Sequence, residues 1–167
     1  MKIDVRPLEE NDTEAIRFAW EKAYELDRVS LIGRYLDQQS KGERLVLAAF
    51  TDGEFAGHIT VLWQADYPPF AKQEIPLIQD LNVLPKFRRR RIATALVDRA
   101  EKQIRKRSKV VGIGVGMYAD YGPAQRMYAL RGYVPDGRGL SHLNKPVTPG
   151  KNVPVDDDLV LYMTKKL

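Results

Sequence analysis

Residues 81–100 read LNVLPKFRRRRIATALVDRA, four consecutive arginines set between a proline-marked turn and an apolar pattern of helical period. Ile92, Leu96, Ala100 and Ile104 recur every fourth position, which draws one apolar face along a helix of about five turns beginning near Arg90. Upstream, IPLIQDLNVL (residues 75–84) has the nearly continuous apolar run of a strand covered on both faces, and Pro85 ends it. The arginines therefore fill a turn that leads from a central strand into the first turn of a helix. Four adjacent like charges need a polyanion or solvent to offset them. Unpaired backbone N–H groups and the positive end of a helix dipole converge at the same place, so the turn suits an oligophosphate. A solvated basic surface is the plain alternative.

Composition narrows the partners. The 167 residues predict a single domain, 1–167, and the 44% apolar and 29% charged shares are those of a folded soluble protein. No apolar run approaches the roughly 20 residues of a membrane helix, and MKIDVRPLEEND lacks the features of a signal peptide, so a cytoplasmic protein with no membrane partner is expected. With no cysteine, disulfides, thiolate metal sites and cysteine nucleophiles are excluded. Only two histidines, His58 and His142, are present, which argues against a His-based metal site, and no metal is expected. The net charge of +5 is concentrated between Lys86 and Lys109, which implies a local anion more than a generally cationic surface. A nucleic-acid face would interleave aromatic residues with the basic ones, and only Phe87 does so.

Outward from the arginines, the chain alternates strands and helices without an internal repeat. KIDVRPL reads as a first strand; Asn11 and Glu14 have the spacing of a capping box, opening a helix with the stripe Ile16, Ala19, Trp20, Ala23 and Tyr24. A second helix is expected at about residues 30–39. RLVLAAF and FAGHITVLWQ form a hairpin bent at Asp52 and Gly53, and QADYPPFAKQ is a proline-containing loop. KVVGIGVGMY is a strand, GPAQRMYALRG a short helix with Pro123 early and Gly132 at its end, and DLVLYMTKKL a closing strand. The Gly- and Pro-rich region 135–154 reads as a long ordered loop.

LNVLPKFRRRRIATAL resembles the acyl-CoA-binding motif of the GNAT superfamily, Val-x-Pro-x-x-Arg-x-x-Gly-x-Gly/Ala, with Val83, Pro85, Arg88, Ile92, Ala93 and Leu96 in register. Two positions depart: Arg91 stands at the inner glycine, and Arg89 follows Arg88 where glycine is frequent. PAQRMYALRGY resembles the family's second motif, Ala-x-x-x-Tyr-x-x-x-Gly-Phe/Tyr, through Ala124, Tyr128, Gly132 and Tyr133, although Tyr121 beside Asp120 replaces the usual asparagine. The resemblance implies an α/β (α+β) fold, a mixed and mostly antiparallel sheet of about seven strands flanked by about four helices. It implies an N-acetyltransferase that moves an acetyl group from acetyl-CoA, its co-substrate, to a primary amine of a small molecule in a ternary complex. A homodimer is left open.

The same resemblance assigns the site. Backbone N–H groups of Val83 or Leu81 contact the thioester region or pantetheine arm; Arg88, Arg89, Arg90 and Arg91, with Ile92, Ala93 and Thr94, receive the pyrophosphate; and the Tyr128 phenol donates to the sulfur. The base is not fixed. The position four before Val83, where relatives acting on polyamines often carry glutamate, is Gln79. Asp80 is its neighbour, and strand alternation points the two oppositely, so Asp80 serves only if a bulge turns it or a water relays the proton. Tyr118 and Asp120 could also line the cleft. For Tyr128 and Asp80 the competing readings are core packing and a structural hydrogen bond.

Several tempting features carry little. The glycines of GIGVG (residues 112–116) alternate as in a strand, and no helix follows directly, so a dinucleotide loop is not expected. DDD at 156–158 suits a solvated turn better than a cation site, His142 lacks a nucleophile-elbow context, and His58 inside a strand reads as packing. Trp63, Tyr67 and Phe70 could line an acceptor pocket or anchor a loop. The alternative function is a CoA-binding or basic nucleic-acid-binding module of the same fold with little catalysis.

Overall fold

The computed structural model describes residues 2–24 and 29–167. In chain order the elements are β1 (Ile3–Pro7), α1 (Thr13–Tyr24), α2 (Val29–Ser40), β2 (Arg44–Thr51), β3 (Glu54–Leu62), α3 (Pro68–Ala71) and β4 (Leu77–Val83). There follow α4 (Ile92–Ile104), β5 (Val110–Gly116), α5 (Gly122–Leu130), β6 (Val134–His142), β7 (Lys145–Pro146) and β8 (Leu159–Lys166). The α/β class is as expected, with eight strands and five α-helices among the described residues. Two compact units divide the chain, Met1–Trp63 with Ile78–Lys106, and Gln64–Leu77 with Arg107–Leu167.

In the first unit the strands lie in the order β1-β2-β3-β4, with β1, β2 and β3 antiparallel. The hairpin turns at Asp52 (φ 51°) and Gly53 (φ 84°), the paired left-handed conformation of a tight two-residue connection, as the Asp-Gly pair predicts. Register gives the sheet two unlike faces. Arg44, Val46 and Ala48 oppose Leu62, Thr60 and His58, whereas Leu47 opposes Ile59 and Leu45 opposes Val61. Because cross-strand partners share a face, the first set carries polar groups and the second is purely apolar. The polar set meets α1 and α2: the His58 ring lies 5.8 Å from Trp20 and 6.5 Å from Tyr35. Helix α4 also packs on β2 and β3, with Ile92, Leu96, Ala100 and Ile104 buried as the four-residue repeat predicts. It is shorter than its apolar pattern suggested and begins only after the arginines, because Arg91 takes a left-handed conformation no helix can contain.

The second unit orders its strands β5-β8-β6-β7, all antiparallel. Its core gathers Ala65, Tyr67, Phe70, Ile75, Leu77 and Tyr162, with Tyr67 and Tyr162 stacked at 3.7 Å. Tyr67 and Phe70 are thus core anchors, and the expected proline loop contains α3. The rings explain GIGVG: a Cβ on Gly112 would lie 2.2 Å from the Phe70 ring, and one on Gly116 2.4 Å from the Tyr121 ring.

Four local expectations are corrected. The capping box is Glu9 with Asp12, ahead of α1, and Asp12 is held by Arg6 at 2.7 and 2.8 Å. Region 135–154 is strand over 135–142 and 145–146, because β6 pairs β8 across a register shift between Pro135 and Leu140 that absorbs Gly137 and Gly139. Strand β4 is fully buried only at Leu77 and Ile78, the rest being half-buried. In α1 only Ile16 and Trp20 of the expected stripe are fully buried.

Two glycines give opposite expectations. A Cβ on Gly57 would sit 2.3 Å from the Asn82 carbonyl oxygen and 3.0 Å from Val83 Cα, both backbone atoms of β4, whereas one on Gly33 in α2 meets nothing within 4 Å. Gly57→Ala should therefore lose about 1–3 kcal/mol by forcing strands apart. Gly33→Ala should gain about 0.5–1 kcal/mol from helix propensity. Urea unfolding of both variants measures this.

Candidate active site

The arginine turn is built in steps. Leu84 N–H donates to Ala56 O at 3.0 Å, residues Pro85–Phe87 make one 3-10 turn, and the buried Phe87 ring anchors it. Arg88 is extended; Arg89 (φ 60°) and Arg91 (φ 62°) are then left-handed. These are the two positions at which the resembled motif favours glycine, so the backbone keeps a glycine conformation although each residue carries a side chain. Left-handed backbone costs a side-chain-bearing residue about 1–2 kcal/mol. Arg91 is the N-cap of α4, no side chain caps the helix, and the first bond into it is Ala95 N–H to Arg91 O at 3.0 Å. The amides of Ile92, Ala93 and Thr94 precede that bond and have no partner within the helix. Ile92 itself is buried, Ala93 half-buried and Thr94 exposed.

All four guanidinium groups are exposed. Arg88 is tied back, donating to Val83 O at 3.2 Å and to the Tyr24 hydroxyl at 3.3 Å, while Arg90 lies 5.9 Å over the Phe87 ring. Arg89 and Arg91 have no ion-pair partner among the described residues. Exposed cations, uncapped amides and the positive end of a thirteen-residue helix dipole meet at this turn, an arrangement suited to an anion. Leu81 and Val83 lie on the half-buried part of β4 that leads into it.

Strand β4 breaks its own alternation. Asp80 has φ 49°, and aspartate is among the few side-chain-bearing residues that enter this region readily. Gln79 Oε1 accepts from Arg44 at 3.3 Å, and Asp80 Oδ2 lies 2.9 Å from His58 Nε2. Arg44 and His58 share one face, so Gln79 and Asp80 both reach it, the turn on which the sequence reading of Asp80 depended. Tyr35 O–H donates to the same Asp80 oxygen at 2.8 Å. Arg44, 8% exposed, also bonds Gln38 and Thr60 and lies 4.8 Å over the Tyr35 ring. Burial first, then the Asp80 charge and hydrogen bond, push the Tyr35 phenol well above its usual range. A carboxylate, an imidazole, a phenol and a guanidinium thus share the face under α1 and α2.

Sequence reasoning missed His58, Tyr35 and Arg44. They lie 22, 45 and 36 positions from Asp80 by number, and nothing local marks a contact of that range. Trp63, also weighed for an acceptor pocket, is half-buried at the end of this unit, its N–H on Glu43 O at 3.1 Å.

Tyr128 belongs to the second unit. It is 5% exposed on α5, its ring 5.8 Å from Tyr133, and among the described residues its hydroxyl has no hydrogen-bond partner. Burial pushes the phenol up to about 12. Nearby in sequence, Tyr118 and Tyr121 both donate to Asp157, the latter at 2.9 Å, and their rings meet edge-on at 5.0 Å. Asp120 is exposed. The aspartate run is a turn before β8, with His142 Nε2 3.3 Å from Asp156.

Fold and site together define an α/β protein with an arginine-rich turn at a helix N-terminus beside a strand whose alternation breaks at a carboxylate. The model of the acetyltransferase (GNAT) family matches residues 8–133, and the chain belongs to that family. No curated protein sequence matches it significantly. Among solved structures it is similar to PaiA N-acetyltransferase from Thermoplasma acidophilum in complex with coenzyme A (19% identity, all of both chains, TM-score 0.65). It is also similar to ribosomal-protein-alanine N-acetyltransferase from Brucella melitensis (18%, 98% of this chain and 99% of that, 0.70). A third is NAA60 from Arabidopsis thaliana in complex with acetyl-CoA (18%, 99% of each, 0.68). At these identities the likeness is one of fold.

Arg91 offers a test of the turn. Glycine there removes about 1–2 kcal/mol of left-handed cost and adds about 0.5–1 kcal/mol of unfolded-chain entropy. Arg91→Gly should be at least as stable as wild type, and Arg91→Ala about 1 kcal/mol less stable than Arg91→Gly. Denaturant midpoints compare the three proteins, and equal values for the two variants would mean the turn relaxes.

Proposed function

We propose that this protein is an N-acetyltransferase that moves the acetyl group of acetyl-CoA to a primary amine of a small molecule by direct attack. Family membership supplies the co-substrate, acetyl-CoA. The observation that carries the reading is the left-handed backbone at Arg89 and Arg91 before the uncapped N-terminus of α4. A conformation this costly persists where the surroundings enforce it, and such places favour function. The amides of Ile92, Ala93 and Thr94 with the guanidinium groups of Arg88, Arg89, Arg90 and Arg91 fit a pyrophosphate. By family analogy the backbone of Leu81 and Val83 meets the pantetheine arm or thioester.

Chemistry then needs a proton acceptor and a donor. The ammonium form of the acceptor loses one proton, the neutral nitrogen attacks the thioester carbonyl, the C–N bond forms and the C–S bond breaks. The departing sulfur takes up one proton and the product nitrogen gives up another, so one proton is released overall. Asp80 is our acceptor for the first proton, directly or through water; its half-buried carboxylate is turned out of the strand's alternation by the left-handed backbone at that residue.

Tyr128 is our donor to the sulfur. A phenol at about 12 holds its proton far more tightly than a thiol near 8.5, so full transfer runs uphill. The phenol therefore acts chiefly as a hydrogen-bond donor to the developing thiolate, and solvent completes the protonation.

The Brucella melitensis neighbour is named for ribosomal-protein alanine, so the acceptor panel includes peptides with free N-terminal alanine beside polyamines and aminosugars. Thiol release from acetyl-CoA with one of the small amines is the expected result; release only with peptides would move the acceptor class to proteins. Steeply salt-dependent binding of RNA or DNA with no response to acetyl-CoA would replace the enzyme reading with a nucleic-acid module.

Arg88→Ala should weaken CoA about ten- to a hundredfold by calorimetry, the size of a charge-assisted phosphate contact. Tyr128→Phe should keep CoA binding and the thermal melt while turnover falls about ten- to a hundredfold, the worth of one hydrogen bond to a charged group. Equal turnover would remove the phenol from the reaction.

A further inference from the structure

Resting on the reading of Asp80 as proton acceptor, we propose that His58 and Tyr35 are positioning residues that fix the Asp80 carboxylate for that task. Two donors from separate elements, His58 Nε2 on β3 at 2.9 Å and Tyr35 O–H on α2 at 2.8 Å, converge on Oδ2. The carboxylate assigns the ring hydrogen to Nε2. A left-handed residue inside a strand departs from the strand's side-chain alternation, and these two bonds fix the direction its carboxylate takes. The Asp80 side chain remains 26% exposed and open to a substrate, while His58 behind it is 2% exposed.

The second observation is the other ring nitrogen. His58 Nδ1 is closed to solvent and has no partner among the described residues, in a box formed by Trp20, Tyr35 and Phe55. A buried polar atom without a partner is destabilising and rare. A phenylalanine would fill that box without the cost, so the imidazole is retained for what Nε2 does. Neither residue exchanges a proton in the step: the ammonium gives its proton to the Asp80 carboxylate, which becomes a carboxylic acid and passes the proton to solvent. Among the described residues, the titratable and charged groups facing this carboxylate include His58 from β3, Tyr35 from α2, and Arg44 from β2, with Arg34 6.0 Å over the Tyr35 ring from the same helix.

The test uses the full chain with acetyl-CoA and whichever amine or peptide of the panel reacts fastest. His58→Phe and Tyr35→Phe should each lower kcat about ten- to a hundredfold with KM for acetyl-CoA unchanged. Both remove a donor to the charged form, so the acid limb of the pH profile and the Asp80 carboxyl titration followed by carbon NMR should move to higher pH. His58→Gln, whose amide can donate from a similar position, should recover most of the rate. Asp80→Asn should be slower than either, and adding His58→Phe to it should cost nothing further. Unchanged turnover in Asp80→Asn, or a wild type inactive on the whole panel, overturns the reading of Asp80 and this inference with it. A slow Asp80→Asn whose loss multiplies with that of His58→Phe, or an unmoved acid limb in Tyr35→Phe, leaves Asp80 in place and overturns the positioning role. Should His58→Phe melt early, Tyr35→Phe, which deletes a single hydroxyl, decides between these outcomes.

Discussion

The bond between His58 and Asp80 is the interaction around which the first unit is arranged. For it to exist, the carboxylate must reach the α1 and α2 face of the sheet although its neighbour Gln79 already points there, and only a break in the alternation of β4 achieves this. Two residues further along β4 the Asn82 carbonyl lies so close to β3 that residue 57 has no room for a side chain. On the same face the polar groups must be bonded to one another, since burial of an unpaired charge is far costlier than burial of a paired one. Arg44 meets this by bonding Gln38, Thr60 and Gln79 at once. The opposite face of the sheet pairs aliphatic side chains, Leu47 with Ile59 and Leu45 with Val61.

A similar logic governs the arginine turn. In the resembled motif glycine relieves left-handed backbone, yet here the same backbone is held with arginine at both positions. The charge is bought with strain. Phe87, buried beneath the turn, and the first buried residue of α4, Ile92, clamp it from either side. What the exchange provides is cationic side chains placed immediately before the residues whose amides have no partner within the helix, so that one short segment carries both kinds of group that suit an anion.

Much of this was legible from local pattern. The four-residue repeat of Ile92, Leu96, Ala100 and Ile104, the Asp52-Gly53 bend and the alternating glycines of β5 each report a period or a turn that the neighbouring residues settle. Glycine and proline misled where a register shift rather than a loop consumed them, as between Pro135 and Leu140. The capping box was misplaced because two pairs of equal spacing, Glu9 with Asp12 and Asn11 with Glu14, compete and Asp12 is the one reached by Arg6. The partners of Asp80 were out of reach for a different reason: they are set by a helix and two strands distant in sequence, and the sign of φ at residue 80 is a tertiary property. The residues of the arginine turn, by contrast, are contiguous, and their spacing was visible.

The distribution of aromatic residues gives the two units separate optical signatures. Both tryptophans, Trp20 and Trp63, fall in the first unit, whereas Tyr67, Tyr118, Tyr121, Tyr128, Tyr133 and Tyr162 fall in the second, where the stacked Tyr67 and Tyr162 rings provide a near-ultraviolet dichroic chromophore. Indole emission thus follows one unit and tyrosine dichroism chiefly the other, without any label. Trp20 is moreover 1% exposed and its ring lies 5.8 Å from that of His58, so its fluorescence lifetime is an internal gauge of the imidazole beside Asp80.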